Sequence, residues 1–363
     1  MTNMNNFSPD WISAPGATIL DLLEERGYSV RSFADATNRG VQEVSRLLYG
    51  IERLNEDWAH KLATVLGSTP GFWIRRETQY REDLERLSSQ AQEDEAKEWL
   101  REIPTKDMAR FGWINAGSTA QDSMAGALAF FGVGSVSSWR RHYGGELTSA
   151  AFRSSTAFET KVGGVAAWLR QGEISATEID CAPWNAAMFR QALSEAKALT
   201  RISDPCAFIP QLVEAFSKCG VAVVIARAPS GCRASGATRF LSQNKAVMLL
   251  SFRYLTDDQF WFTVFHEAGH LLLHTHNQLF LEGVEASYPD AETEANYFSK
   301  EVLFTQTGLA EIKTIPLNQF SIARLAKRLG VCPGLVVGQL QELGRVPYKH
   351  FNYLKIRYSW SND

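Results

Sequence analysis

The chain has 363 residues, 45% of them hydrophobic, 21% charged and 11% aromatic, which is enough apolar material for packed cores and excludes a wholly disordered chain. Lys+Arg 37 against Asp+Glu 40 leaves a formal charge of −3, so a nucleic-acid role needs a local basic surface rather than a polycation. No stretch approaches the ~18 apolar residues of a membrane span, Met1–Phe7 lacks the basic start of a secretion signal, and Cys181, Cys206, Cys219, Cys232 and Cys332 are widely spaced without CxxC, which fits a reducing, cytoplasmic setting.

Periodicity predicts helices at Ile19–Arg26, Val30–Ala36, Val41–Tyr49, Glu56–Leu66 and Phe72–Leu87. The second and third are joined at Thr37–Gly40 with the spacing of a helix-turn-helix. Asn38 can supply the left-handed residue of the turn. Ala34, Phe33, Val44 and Leu47 then face the core. Gln42, Glu43, Ser45 and Arg46 face outward, where they could meet a DNA major groove. Residues 1–76 carry eight basic against nine acidic side chains, which predicts weak DNA binding by this module alone and points to a homodimer.

The charged stretch Ser88–Glu102 is read as a boundary. Beyond it, helical periods recur at Met124–Phe131, Phe158–Arg170 and Asn185–Ala198. After Pro205 a helix at Ile209–Cys219 leads into three short strands, at Val221–Ala226, Ala234–Leu241 and Lys245–Ser251. Thr256 and Gln259 form a capping-box pattern ahead of a hydrophobic helix. Then come a loop at Gly283–Pro289 and helices at Ala291–Phe304, Asn318–Leu329 and Val336–Leu343. The end is basic: Glu311–Arg357 holds eight Lys+Arg and two acids, a possible nucleic-acid or acidic-partner surface. The expected fold class is mainly α with a small β-sheet: an all-α helix-turn-helix domain (12–87), a helical middle region (88–204), an α+β zincin-like domain (205–310) and a basic helical extension (311–363).

The capped helix contains His266-Glu267-Ala268-Gly269-His270, an HExxH pattern. Histidines four apart on a helix lie one above the other, about 6 Å apart, and can share one ion. Glu267 stands at the same edge, where it can take a proton from a water. A third ligand is expected on the next helix. Glu292 is favoured and Glu294 is the alternative, since the two point to different sides. Asn296, one turn from Glu292, can accept a hydrogen bond from a ligating histidine. His276 has the spacing of a three-histidine site, but that needs a sharp glycine turn where Leu273 stands. His274 suits the helix end or the cleft lining. Arg239, Arg233 and Tyr254 are candidate donors to a tetrahedral oxyanion. The implied chemistry is Zn²⁺-dependent peptide hydrolysis, with Glu267 moving the proton from water to the leaving amine.

These residues carry a double resemblance. Pro15-Gly16 through Trp73, notably Val44–Gly50 and Leu66–Trp73, resembles the HigA-type branch of the XRE (Cro/CI-like) helix-turn-helix family. Thr256–His274 together with Glu292–Phe298 resembles the ImmA/IrrE metallopeptidases, and Phe130–Val133, Ala167–Glu173 and Pro333–Leu340 are similar to the fused form that joins both modules. The resemblance implies a zinc peptidase acting on a DNA-bound repressor, with ligands His266, His270 and Glu292 and with Glu267 as acid/base. The rival expectation is a non-catalytic regulator or antitoxin with a structural or vestigial zinc site.

Overall fold

The computed structural model describes residues 12–90, 93–115, 117–144, 159–274, 279–282 and 289–360. They fall into two compact units. One takes residues up to 144, 159–180 and Pro229–Cys232; the other takes Cys181–Ala228 and the chain from Arg233 onward. The expected loop at Gly283–Pro289 lies outside the described residues except at its last position, and His276 lies outside them too. The chain is largely helical with one small mixed sheet, and among the described residues no helix is long and apolar enough to cross a membrane.

The first unit begins with α1 (Pro15–Glu25), α2 (Val30–Thr37), α3 (Val41–Leu48), α4 (Glu56–Leu66) and α5 (Pro70–Gln90). Ser29 caps α2 in a reciprocal pair with Ser32, and Asn38 adopts φ 52, ψ 52, which turns the chain into α3. Ile19, Leu23, Phe33, Ala34, Val44, Leu47, Trp58, Leu62 and Trp73 form the core of this module. Next come α6 (Glu93–Glu102), α7 (Thr105–Arg110), α8 (Ala120–Phe131), α9 (Val136–Trp139) and α10 (Glu159–Thr177). Trp99, Phe131 and Trp139 meet edge-on there, at ring separations of 5.7–6.3 Å. No break separates Ser88 from the preceding helix, because α5 runs on to Gln90.

The second unit contains α11 (Ala186–Leu199), α12 (Pro205–Ser217), β1 (Val221–Ile225), β2 (Gly236–Ser242), β3 (Lys245–Leu250), α13 (Asp257–Leu273), β4 (Phe280–Glu282), α14 (Pro289–Ile312), α15 (Gln319–Leu329) and α16 (Pro333–Glu342). Strand order is β1-β3-β2-β4, with β1 parallel to β3 and β2 antiparallel to both its neighbours. The central strand β3 is covered on both faces, which is why Ala246–Leu250 is continuously apolar instead of alternating. The sequence reading missed β4. Three residues are too few to show a period, and the strand exists because β2 offers it an edge. Helix α14 outlasts the expected end at Phe304, breaking at Thr305 (φ 60, ψ 163) and continuing to Ile312.

Helix α13 lies against the sheet and is buried on almost every side by Phe260, Trp261, Val264, Phe265, Ala268 and Leu271. Its start corrects the expected capping box: Thr256 is the N-cap residue, but its side chain makes no cap bond. The chain's tail pairs with this end of the helix and takes its first donor. The Asp257 backbone N–H donates to Ile356 O (3.0 Å), Tyr358 N–H to Leu255 O (2.8 Å), and Thr256 bridges to Arg357. Below them the buried Asp258 pairs with Lys355 at 2.6 Å. The Asp258 N–H, which a capping side chain could take, goes to Asp257 Oδ1 at 2.9 Å.

Candidate metal centre

Three ligand-type side chains converge where α13 crosses α14. His266 Nε2 and His270 Nε2 are 3.0 Å apart, and the two Glu292 carboxylate oxygens lie 3.2 Å from His266 Nε2 and 3.4 Å from His270 Nε2. Both histidines are buried. The helices approach closely because Gly269 faces α14: a Cβ there would sit 3.1 Å from both Ala295 Cα and Phe298 Cδ1. Metal–ligand bonds of about 2.0–2.1 Å in a tetrahedron put neighbouring ligand atoms about 3.3 Å apart. The observed separations match, so a His-His-Glu donor set fits a cation such as zinc and uses three of four vertices. Glu294 is turned away from this point.

The outer nitrogens are tethered as well. His266 Nδ1 donates to Asn296 Oδ1 at 3.1 Å, a bond that leaves the Nε2 lone pair pointing at the cluster. His270 Nδ1 meets His274 Nδ1 at 3.1 Å, and His274 Nε2 meets Glu294 Oε2 at 3.1 Å, so His270 is steadied through a second imidazole and a carboxylate. His274 also caps the end of α13 through its backbone N–H to His270 O. Phe280 of β4 stacks on the His270 ring at 4.1 Å. Sequence reading missed this relay, although the i, i+4 spacing of His270 and His274 was visible.

Glu267 is wholly buried on the sheet side of α13. Its Oε2 accepts from Thr238 Oγ1 of β2 at 2.8 Å, while Oε1 is buried with no partner among the described residues. Space for it comes from Gly236, where a Cβ would collide with the Glu267 side chain. Gly236 pairs with Glu282 of β4, and directly opposed residues project to the same sheet face. Glu282, a half-buried residue whose Oε2 is closed off from solvent, faces Thr263 there. Thr238, Gly236 and Glu282 had no sequence signal.

The electrostatics favour positive charge at the cluster. Burial opposes a charged His266, but Glu292, Glu282 and Glu267 outweigh it and raise its pKa to about 9. Burial alone would raise Glu292; its two histidines instead lower it to about 2. Burial dominates at Glu267, pushing its carboxyl well above the usual range, with His266 pulling the other way and Glu282 adding to the rise. Burial lowers His270.

Arg239 follows Thr238 in β2. Tyr254 is exposed and lines a surface pocket of about 390 Å³ with Gln259, Gln341 and Lys355. The Arg233 carbonyl accepts from Arg253. In the first unit, Gln42 is exposed and Glu43 pairs with Arg39 at 2.8 Å. Ser45 is not outward: it is 1% exposed. Arg46 donates to Gly112 O and Asn115 Oδ1. Helical phase alone made α3 amphipathic; the covering of its other face comes from residues far along the chain.

Residues 220–340 match the IrrE N-terminal-like domain family, Peptidase_M78. The match holds the whole sheet-and-helix frame of the cluster except the tail that caps α13. A stretch of 60 residues, 16% of the chain, is 40% identical to an uncharacterized HTH-type transcriptional regulator, YddM, of Escherichia coli (strain K12), and spans 64% of that protein. The chain thus carries an IrrE/M78-like domain, with a buried His-His-Glu cluster able to coordinate a metal ion, and a stretch similar to a helix-turn-helix regulator.

Proposed function

We propose that this chain is a zinc-dependent endopeptidase of the ImmA/IrrE kind joined to a HigA-like XRE helix-turn-helix module, working in the cytoplasm. In this reading residues 12–87 are the helix-turn-helix domain, 88–204 a helical middle region, 205–310 the peptidase and 311–363 a basic extension. The substrate is a protein, a transcriptional repressor in a stress or toxin–antitoxin response, and the helix-turn-helix directs the enzyme, as a homodimer, to DNA or to that repressor. His266, His270 and Glu292 hold the ion, and Asn296 orients His266. When bound, Zn²⁺ supplies Lewis acidity: it makes a water easier to deprotonate and polarises the scissile carbonyl. Glu267 takes the water's proton on its unpartnered Oε1 and returns it to the leaving amine. Thr238 fixes the orientation of that carboxylate.

The convergence of two imidazole nitrogens and one carboxylate, with ligand atoms within 4.8 Å of one another, beside a buried, half-partnered glutamate carries this reading. Its test is elemental analysis of the purified chain together with digestion of a peptide library and of repressor proteins. Glu267→Gln should keep zinc and fold while losing cleavage by about 10²–10⁴. The complete burial of Glu267 favours a second reading, a regulator whose metal is structural. Zinc-loaded wild-type protein that cuts nothing would establish it.

A further inference from the structure

The helix-turn-helix presents two surfaces to a duplex: the start of its first helix, which meets the phosphates, and the outer side of its second, which enters the major groove. Both are met in part by the same chain. At the start of α2, Ser29 Oγ donates to Asp180 Oδ2 (3.1 Å), Arg31 Nε lies 3.8 Å from that carboxylate, and Arg31 Nη2 reaches Glu178 O at 3.4 Å. On α3, Ser45 is buried, with its hydroxyl unpaired among the described residues. Arg46 donates to Gly112 O (3.0 Å) and Asn115 Oδ1 (3.3 Å), and the Arg170 guanidinium lies 4.9 Å from the Tyr49 ring centroid. Arg39 is held by Glu43 and Asp57.

Hydroxyls and guanidinium groups at helix-turn-helix positions are the usual partners of DNA phosphates. Here carboxylates and carbonyls take those places. We infer that the segment Glu178–Asp180, at the end of α10, is an intramolecular stand-in for the nucleic-acid backbone, so that this face holds either its own acidic segment or duplex DNA, never both. The inference rests on reading Val30–Leu48 as a DNA-binding-type helix-turn-helix and is independent of the metal centre. With Arg31, Arg39 and Arg46 already paired and the module slightly acidic, the closed form offers a duplex little positive charge.

The test uses the full chain and a fluorescent duplex of mixed sequence, titrated between about 50 and 200 mM salt. Glu178→Gln/Asp180→Asn should bind at least about tenfold tighter than wild type at the low end and lose affinity more steeply with salt. Adding Arg31→Ala, which removes the guanidinium that this segment holds, should abolish the gain. Equal affinities of wild type and double variant, or a gain that survives Arg31→Ala, would overturn the inference and leave the helix-turn-helix reading standing. If neither protein binds any duplex, both fall. Amide exchange on the wild-type chain gives an answer without variants. Saturating duplex should speed exchange at residues 177–180 while slowing it at 41–49, and slowing at both would overturn the inference.

Discussion

Gly236→Ala tests the geometry around Glu267 without touching a ligand. The new methyl would lie 2.7 Å from Thr263 Cγ2, 2.8 Å from Glu267 Cγ and nearer still to Glu267 Oε1. Carbon contacts settle at about 3.5–4.0 Å, so something must move by about 1 Å. Strand β2 is laddered to β3 and β4 on either side, and Thr263 is packed in the core, which leaves the Glu267 side chain to yield and its Thr238 bond to break. A displacement of that size costs on the order of 10² in rate, or about 2.7 kcal/mol of transition-state stabilisation. Overpacking should also lower stability by about 1–3 kcal/mol. The measurements are kcat/KM on the best-cleaved library peptide, zinc content and thermal melting. Full zinc with a hundredfold drop in kcat/KM is the expected result. Activity within about threefold of wild type, or zinc lost in step with activity, would refute the reasoning.

Asn296→Ala should weaken zinc binding by about 10–100-fold in a chelator competition, because His266 loses the acceptor that sets its tautomer. His274→Ala should act in the same direction through His270, and an unchanged affinity would remove His274 from the support of the site. Asp257 predicts a pH effect away from the metal. Burial, with the charge of Asp258 adding, lifts its carboxyl from 3.8 to about 6. The folded chain therefore keeps a proton that the unfolded chain has released. That contribution is fully present below pH 3.8 and is lost as pH rises through about 6, on the order of 3 kcal/mol in all. Asp257→Asn keeps an acceptor for the Asp258 N–H, should flatten this slope and should raise the melting temperature at pH 8; an unaltered slope in denaturant titrations would count against it.

Much of this molecule was legible locally. The helix-turn-helix follows from apolar spacing and a residue able to turn left-handed at position 38, and the helix Glu56–Leu66 has the same limits in sequence and structure. The stacking of His266 on His270 is a property of one helix. Other features were not legible. The capping-box pattern at Thr256 looked complete, yet its side chain makes no cap bond: Asp257 Oδ1 takes the Asp258 N–H, and a segment a hundred residues later takes the Asp257 N–H. Neither Thr238 nor Gly236 has any mark of a site residue until β2 is laid beside α13.

By itself the amino-acid order determined the helices, their apolar faces and two imidazoles on one side of one of them, because periodicity and backbone preference act over a few residues. Tertiary structure supplied the contact itself: the rotation of α14 where it crosses α13 at Gly269 brings Glu292 to those imidazoles and turns Glu294 to His274. It also decided that Ser45 is covered, because burial of a polar helix face depends on residues more than a hundred positions away. Chain-local rules carry no information about such distant partners.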